Sequence, residues 1–510
     1  MDSTDFDRRA VAHLVVPKYD VAVIGAGVSG LQAAQALRQQ APELKVVVLE
    51  ASGRIGGRVK SINGIAPWPV EVGPEFLHGG DSSSIKKLVD AMGCKQREYP
   101  FPDRYYFGRE RRWLPSDSDN PDVERVHEIF GEMAEQDESR PDESMRAYLE
   151  RKGVNENVME LAQAIYANDF GCSLDALGVR ESIHEAQNWS YGDTYFVLDR
   201  PLQAAVDFLA QGLEVRKNWP VQQVEYSTEA GVRLTSREAN VVLADRAIVT
   251  VPITVLRDGD IEFCPPLSES KLRAARSIGM STALKIVCAF SYRFWPADLF
   301  DVVCTHTFVP EVWFTTYPPS PPAIPAPRER NPAPPKLLGA VVAIGFVAGD
   351  QAHQIAQLPE KEIFERFLAQ LDTMFAAPER HADVSSDASG SGAKDGNGNE
   401  LKLRVLESCF FEAVGVADVS PDIHPATAAF SGGHIENWAD EPFIRGAYSH
   451  PSVGGHSARG VLSQPVQGRL FFAGEATHPG VNPCLQAALD TGARAAFQIC
   501  ASQKGVTSRL

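Results

Sequence analysis

The chain has 510 residues, 44% hydrophobic and 23% charged, the balance of a globular protein long enough for two domains and a large core. Its formal charge of −17 speaks against a nucleic-acid-binding surface, which needs clustered positive charge, although an acidic field can draw in a cationic substrate. Eight scattered cysteines with no C-x-x-C pair imply neither a zinc framework nor a disulfide scaffold, and no metal site is expected.

The first residues, MDSTDFDRRAVAHLVVP, carry acids where a secretory leader carries bases, so residues 1–15 are expected to be a tail rather than a leader. No apolar window approaches 18 residues, and no membrane span is expected. From Tyr19 the sequence YDVAVIGAGVSG predicts a buried strand over Val21–Ile24 and then a G-x-G-x-x-G turn made by Gly25, Gly27 and Gly30. The first glycine permits the turn, the second admits a pyrophosphate to the backbone, and the third lets the following helix pack close. A helix over Gln32–Gln39 and a strand over Val46–Leu49 lead to Glu50, an acid placed to bind a ribose hydroxyl. This order of strand, glycines, helix, strand and acid identifies a dinucleotide-binding element.

The next residues, ASGRIGGRV, set Gly56 and Gly57 between Arg54 and Arg58. Residues 81–200 read as mainly helical, with a Pro-, Asp- and Glu-rich connection near 115–143 and a buried helix over 158–170. Then PLQAAVDFLAQG reads as a helix, LEVRKNWPVQQVEYS as strand, turn and strand, and RAIVTVP as a buried strand. In ALKIVCAFSYRFWP, Lys285 stands inside a strand-like run. A lysine there is costly unless paired or neutral, with an edge-strand lysine as the plain alternative. The Pro-rich stretch Pro318–Pro335 and the Gly-, Ser- and Asp-rich stretch Ser385–Glu400 read as loop insertions. The chain closes on RLFFAGEATHPGVNPCLQAALDTGARAAFQIC, a strand and then a helix starting near Leu485. Its last residues, Ser508-Arg509-Leu510, are a conservative variant of the S-K-L peroxisomal address, which makes an import receptor an expected partner and the peroxisome the expected compartment, with the cytoplasm otherwise.

The Arg54–Arg58 element resembles the E-A-x-x-R-x-G-G-R segment of the flavin amine oxidase superfamily. That superfamily includes polyamine oxidases, monoamine oxidases and flavin-dependent histone lysine demethylases, and the motifs here are most like those of polyamine oxidases. The resemblance covers residues 20–500. It implies an α/β fold: a Rossmann-like FAD-binding domain, with a parallel sheet and helices, beside an α+β substrate domain with a mixed sheet and flanking helices. Residues 16–80, 201–264 and 431–505 would form the discontinuous FAD-binding domain, and 81–200 with 265–430 the substrate-binding domain. Residues 318–335 and 385–400 would be insertions, and 1–15 and 506–510 tails.

The resemblance also implies roles. Gly25, Gly27, Gly30, Glu50, Arg54, Gly57, Arg58 and Val221 would hold the nucleotide part of FAD, and Gly474 and Glu475 the ribityl–pyrophosphate part. Gly73, Pro74, Glu75, Phe76, Trp438 and Leu485, at the head of the closing helix, would lie along the flavin. Lys285 would bind a water beside flavin N5, Tyr448 would form one wall of an aromatic box around the amine, and His78 would look into the substrate channel. Ser52 stands where many members have an arginine, so one contact to phosphate or ribose would be missing or water-mediated. Ala447 replaces the cysteine that carries covalent FAD in monoamine oxidases, so the FAD would be non-covalent; Cys484 falls near their second aromatic wall, implying a wider or more polar pocket.

The implied reaction is hydride transfer from the α-carbon of a polyamine or related amine to flavin N5, then imine hydrolysis and reduction of O2 to H2O2. An L-amino-acid oxidase would need an arginine clamp for a carboxylate, with Arg104, Arg109 and Arg445 available. A monoamine oxidase is a second enzymatic alternative, and a non-catalytic FAD-binding scaffold is the alternative of another class.

Overall fold

A computed structural model describes residues 17–315, 341–376 and 424–503, apart from 81, 100, 193, 482 and 483. Both insertions and the C-terminal tripeptide lie outside the described residues.

The dinucleotide element forms as its residues dictate. The β-branched run makes the strand Lys18–Ile24, and Val46–Leu49 pairs parallel beside it. Between them runs the helix Val28–Gln40, which buries Leu31, Ala33, Ala34 and Leu37. This pair belongs to a sheet that is eight-stranded among the described residues. Glu214–Arg216 extends it on one side, and Val241–Val249 pairs parallel on the other. The long strand Val241–Val249 is shared: one part takes the antiparallel Gly231–Ser236, and its end takes the parallel Leu470–Phe472. The sheet is therefore parallel around the glycine turn and antiparallel where Val221–Ser227 and Gly231–Ser236 form a hairpin. The closing helix Leu485–Gln503 packs on Val28–Gln40, close enough that a Cβ on Gly492 would lie 2.3 Å from the Ser29 carbonyl oxygen.

The second layer is a mixed sheet, seven-stranded among the described residues. Its strand Ala283–Phe290 is buried along its whole length and lies between Val341–Ala348 and Phe430–Asn437. Lys285 is thus on a central strand, not an edge. The segment 81–200 is mainly helical and also supplies two strands to this sheet: Arg104–Phe107 pairs with Asp301–Thr305, and Arg112–Pro115 pairs with Arg104–Phe107. Two expectations need correction. The acidic stretch near 115–143 holds a helix, Pro121–Gly131, started by the Asn120 side chain and by proline at its first turn. The strand Phe430–Asn437, placed with the FAD-binding segments by sequence, hydrogen-bonds into the substrate-side sheet. The helix over 158–170 forms as Glu156–Ala162 and passes through a wider π-type turn, Gln163–Ala167, beside the cavity described below. No helix among the described residues is long and apolar enough to cross a membrane.

Candidate active site

One cavity of about 660 Å³ lies between the two sheets and runs from the glycine turn to the substrate-side sheet. At its nucleotide end the three glycines differ physically. Gly25 has φ +108°, which an L side chain rarely adopts, and a Cβ there would meet the Thr250 hydroxyl at 2.7 Å. A Cβ on Gly30 would lie 2.0 Å from the Gly25 carbonyl oxygen, so this residue permits close packing and does not itself line the cavity. Gly27 lines the cavity, and a Cβ there would meet no protein atom within 4 Å. That open backbone is what a pyrophosphate at a helix N-terminus requires.

Glu50 is buried and accepts hydrogen bonds from the backbone amides of Ala26 and Ser52, both at 2.8 Å, which aims its carboxylate at the same turn. The second glycine pair abuts the first, since Gly27 and Gly56 are bridged and a Cβ on Gly57 would lie 3.3 Å from the Gly27 Cα. Ser52 spends its hydroxyl on the Arg54 carbonyl at 2.8 Å, within its own turn. Arg54 donates to the Val59 carbonyl at 3.2 Å, and Arg58 donates to Glu475 at 2.7 Å and to the Ala447 carbonyl at 3.2 Å. Burial alone would push the Glu475 carboxyl up, but Arg58, Arg459 and a bond from Ser449 hold it below the usual range. Val221 lines the cavity too, together with Trp219, a ring that the motif reading passed over. These residues fit a dinucleotide: open backbone, a fixed acid and paired arginines around one turn.

At the far end Gly73, Pro74, Glu75, Phe76, His78, Lys285, Trp438, Tyr448, Gly474, Cys484 and Leu485 line the same cavity. Trp438 is fixed by its indole N–H on the Val72 carbonyl at 2.9 Å. Tyr448 donates its hydroxyl to the Asp169 carbonyl at 2.8 Å. Its ring lies against Gly171, where a Cβ would stand 2.5 Å from the Tyr448 Cε2. His78 packs edge-on against Tyr195, and burial pushes its imidazole down to about 4, so it is neutral at physiological pH. The Lys285 ammonium donates to the Glu71 carbonyl at 3.2 Å and to Glu75 Oε2 at 3.3 Å, and lies 4.8 Å from the centre of the Trp313 ring.

Two acids in this wall were missed by sequence reasoning. Asp169 lines the cavity beside Tyr448, and burial pushes its carboxyl up to about 6. Glu311 is buried, accepts a hydrogen bond from Asn168 at 3.0 Å, and is pushed well up by burial and by nearby Asp301 and Asp169. Glu311 heads the apolar run EVWFT, so the signal that exposed Lys285, a charge in a strand-like run, was present there as well. Asp169 sits in a helical segment and carried no such signal.

A family model described as flavin containing amine oxidoreductase matches residues 28–389 and 415–500. The chain belongs to this family. FAD is the cofactor that family membership and the dinucleotide element together assign. Among curated relatives, the human protein "Lysine-specific histone demethylase 2" is 24% identical over 94% of this chain and 53% of its own length. The rice protein "Polyamine oxidase 3" is 25% identical over 56% of this chain and 62% of its own length. The chain thus spans about half the length of the demethylase relatives it matches. Among solved structures, wild-type putrescine oxidase bound to putrescine superposes with a TM-score of 0.72 at 19% identity, covering 95% of this chain and 99% of the other. Cyclohexylamine oxidase from Brevibacterium oxydans superposes with a TM-score of 0.71 at 18% identity, covering 96% and 100%. Both share the fold.

Proposed function

We propose that this chain is an FAD-dependent oxidase of polyamines or related cationic amines. The observation that carries the reading is the single cavity joining the dinucleotide turn at Gly27 and Glu50 to a wall where Lys285, Tyr448, Asp169 and Glu311 converge. FAD, when bound, supplies the acceptor for the α-carbon hydride and passes the electrons to O2, yielding H2O2. The protein's part is recognition, orientation and exclusion of water. Asp169, ionised above about pH 6, attracts a substrate ammonium, and the Tyr448 face attracts it further while confining the alkyl chain. His78, held neutral, offers an imidazole to the chain without repelling its charge.

The arginines that line the cavity among the described residues are Arg54, Arg58 and Arg237, which belong to the nucleotide end or its neighbourhood. Arg104, Arg109 and Arg445 do not line the cavity and are already paired, with Asp298, with Glu156, and with Asp258 and Asp260. No clamp for an α-carboxylate is assembled from them, which favours an amine over an L-amino acid. The test is anaerobic mixing with spermine, phenethylamine and L-amino acids. Bleaching by spermine is expected, while bleaching by amino acids alone, or by nothing, would overturn the reading in favour of an amino-acid oxidase or a scaffold.

Two further results are expected. Asp169→Asn removes a charge-assisted contact worth about 1.5–3 kcal/mol, so the dissociation constant for spermine should rise roughly 10- to 150-fold. An unchanged constant would place the ammonium elsewhere. With Ala447 in place of an attachment cysteine, acid precipitation should release all the yellow chromophore into the supernatant, and a coloured pellet would contradict non-covalent binding.

A further inference from the structure

Lys285 has a counter-ion that its own sequence neighbourhood does not reveal. The side chains of Lys285 and Glu75 are 5% and 11% exposed, so the pair is nearly removed from water. A single carboxylate oxygen, Glu75 Oε2, accepts from the Lys285 ammonium at 3.3 Å and from the Trp313 indole N–H at 2.8 Å. The indole face in turn lies under the ammonium, 4.8 Å from ring centre to Nζ. Lysine, glutamate and tryptophan thus close a triangle in which each member fixes the other two.

The other acids around Lys285 are otherwise engaged. Glu71 touches the lysine only through its backbone carbonyl, and its side chain accepts from the Leu202 amide at 2.7 Å. Burial raises that carboxyl to about 8, so it is protonated at neutral pH. Glu436, register partner of Lys285 on the neighbouring strand, is bonded to Lys60 at 2.7 Å and to His434 at 2.9 Å. Glu311 lies two strands away across Phe346 and is bonded to Asn168. Glu75 is left as the carboxylate that answers the lysine's charge.

We propose that Glu75 is a positioning residue for Lys285, its indole-pinned carboxylate fixing the ammonium at the cavity wall so that the two act as one unit. The inference rests on the reading that Lys285 serves the flavin, but not on any choice of substrate. The helper is not a general property of a lysine in a strand: it depends on Glu75 and Trp313 reaching one point from two separate segments.

The test uses FAD-loaded protein reduced by light or dithionite, so that no amine is needed. Reoxidation by O2 is followed against pH for the parent, Glu75→Gln, Lys285→Met and the double variant, with melting temperatures alongside. Gln keeps the acceptor for the Trp313 indole and removes only the charge. Glu75→Gln is expected to move the profile's midpoint toward acid by about one unit or more, and Glu75→Asp to restore most of it. In the Lys285→Met background the Glu75→Gln change should have no further effect on the profile. It should even raise the melting temperature, since it removes a carboxylate that has lost its partner. A parental midpoint in Glu75→Gln, or a shift that persists undiminished without the lysine, would overturn the proposal. Should Glu75→Gln not fold, Trp313→Phe reads the same coupling by freeing Oε2 while keeping a ring. A midpoint that moves in Trp313→Phe only when Lys285 is present supports the unit, and one that does not move overturns it. If no amine bleaches the flavin while the coupling holds, the substrate reading fails and the pair stands.

Discussion

Lys285→Met is expected to slow flavin turnover by roughly 10- to 150-fold while leaving FAD bound. Loss of a charge-assisted hydrogen bond of about 1.5–3 kcal/mol in the transition state gives that range. Methionine keeps most of the volume, and from sequence alone the packing would change little. The structure adds a second consequence. Removing the ammonium strands Glu75, whose side chain is 11% exposed, with the Trp313 indole as its remaining donor among the described residues. Breaking such a buried pair typically costs about 3–5 kcal/mol, so the variant should also melt at a lower temperature. Stopped-flow separation of the reductive and oxidative half-reactions shows which one the lysine serves. If both stay within about twofold of the parent, Lys285 is a structural cation and its catalytic assignment fails.

Gly30→Ala is expected to abolish flavin retention and destabilise the protein, whereas Gly27→Ala should weaken flavin binding alone. The two residues belong to one motif, but their surroundings differ. A Cβ on Gly30 would lie 2.0 Å from the Gly25 carbonyl oxygen and 2.9 Å from the Thr250 hydroxyl. Backbone atoms cannot give way by rotamer change, so the helix Val28–Gln40 must move off the turn, at a cost of at least about 1–3 kcal/mol. That shift would also disturb the close crossing of this helix with Leu485–Gln503 at Gly492. At Gly27 the backbone has φ −73°, which alanine adopts readily, and no protein atom lies within 4 Å of the added methyl. The methyl instead occupies space on the cavity side, where the pyrophosphate belongs. Melting of the flavin-free proteins and flavin-to-protein absorbance ratios separate the two effects. Equal melting temperatures for both variants would contradict this division of labour.

The sequence by itself determined the dinucleotide element because its constraints are local. Gly25, Gly27 and Gly30 follow directly on the strand Lys18–Ile24, and Glu50 closes the next strand and returns to the Ala26 amide. Lys285 was legible for a related reason, since a charge inside an apolar run announces itself without its partners. The tertiary structure decided what depends on distant segments. The strands Arg104–Phe107 and Arg112–Pro115 are four residues each, too short to show a period, and acquire their identity by pairing, the first with Asp301–Thr305 and the second with the first. Gly171 looks like any loop glycine until the Tyr448 ring is laid against it. Asp169 and Glu311 come to line one buried wall, and Glu75 to answer the charge of Lys285, only when the helical segment, the Gly73–Phe76 turn and the mixed sheet meet around one cavity. Backbone geometry is written in neighbouring residues, whereas the charge and burial of a side chain are set by whatever the fold brings against it.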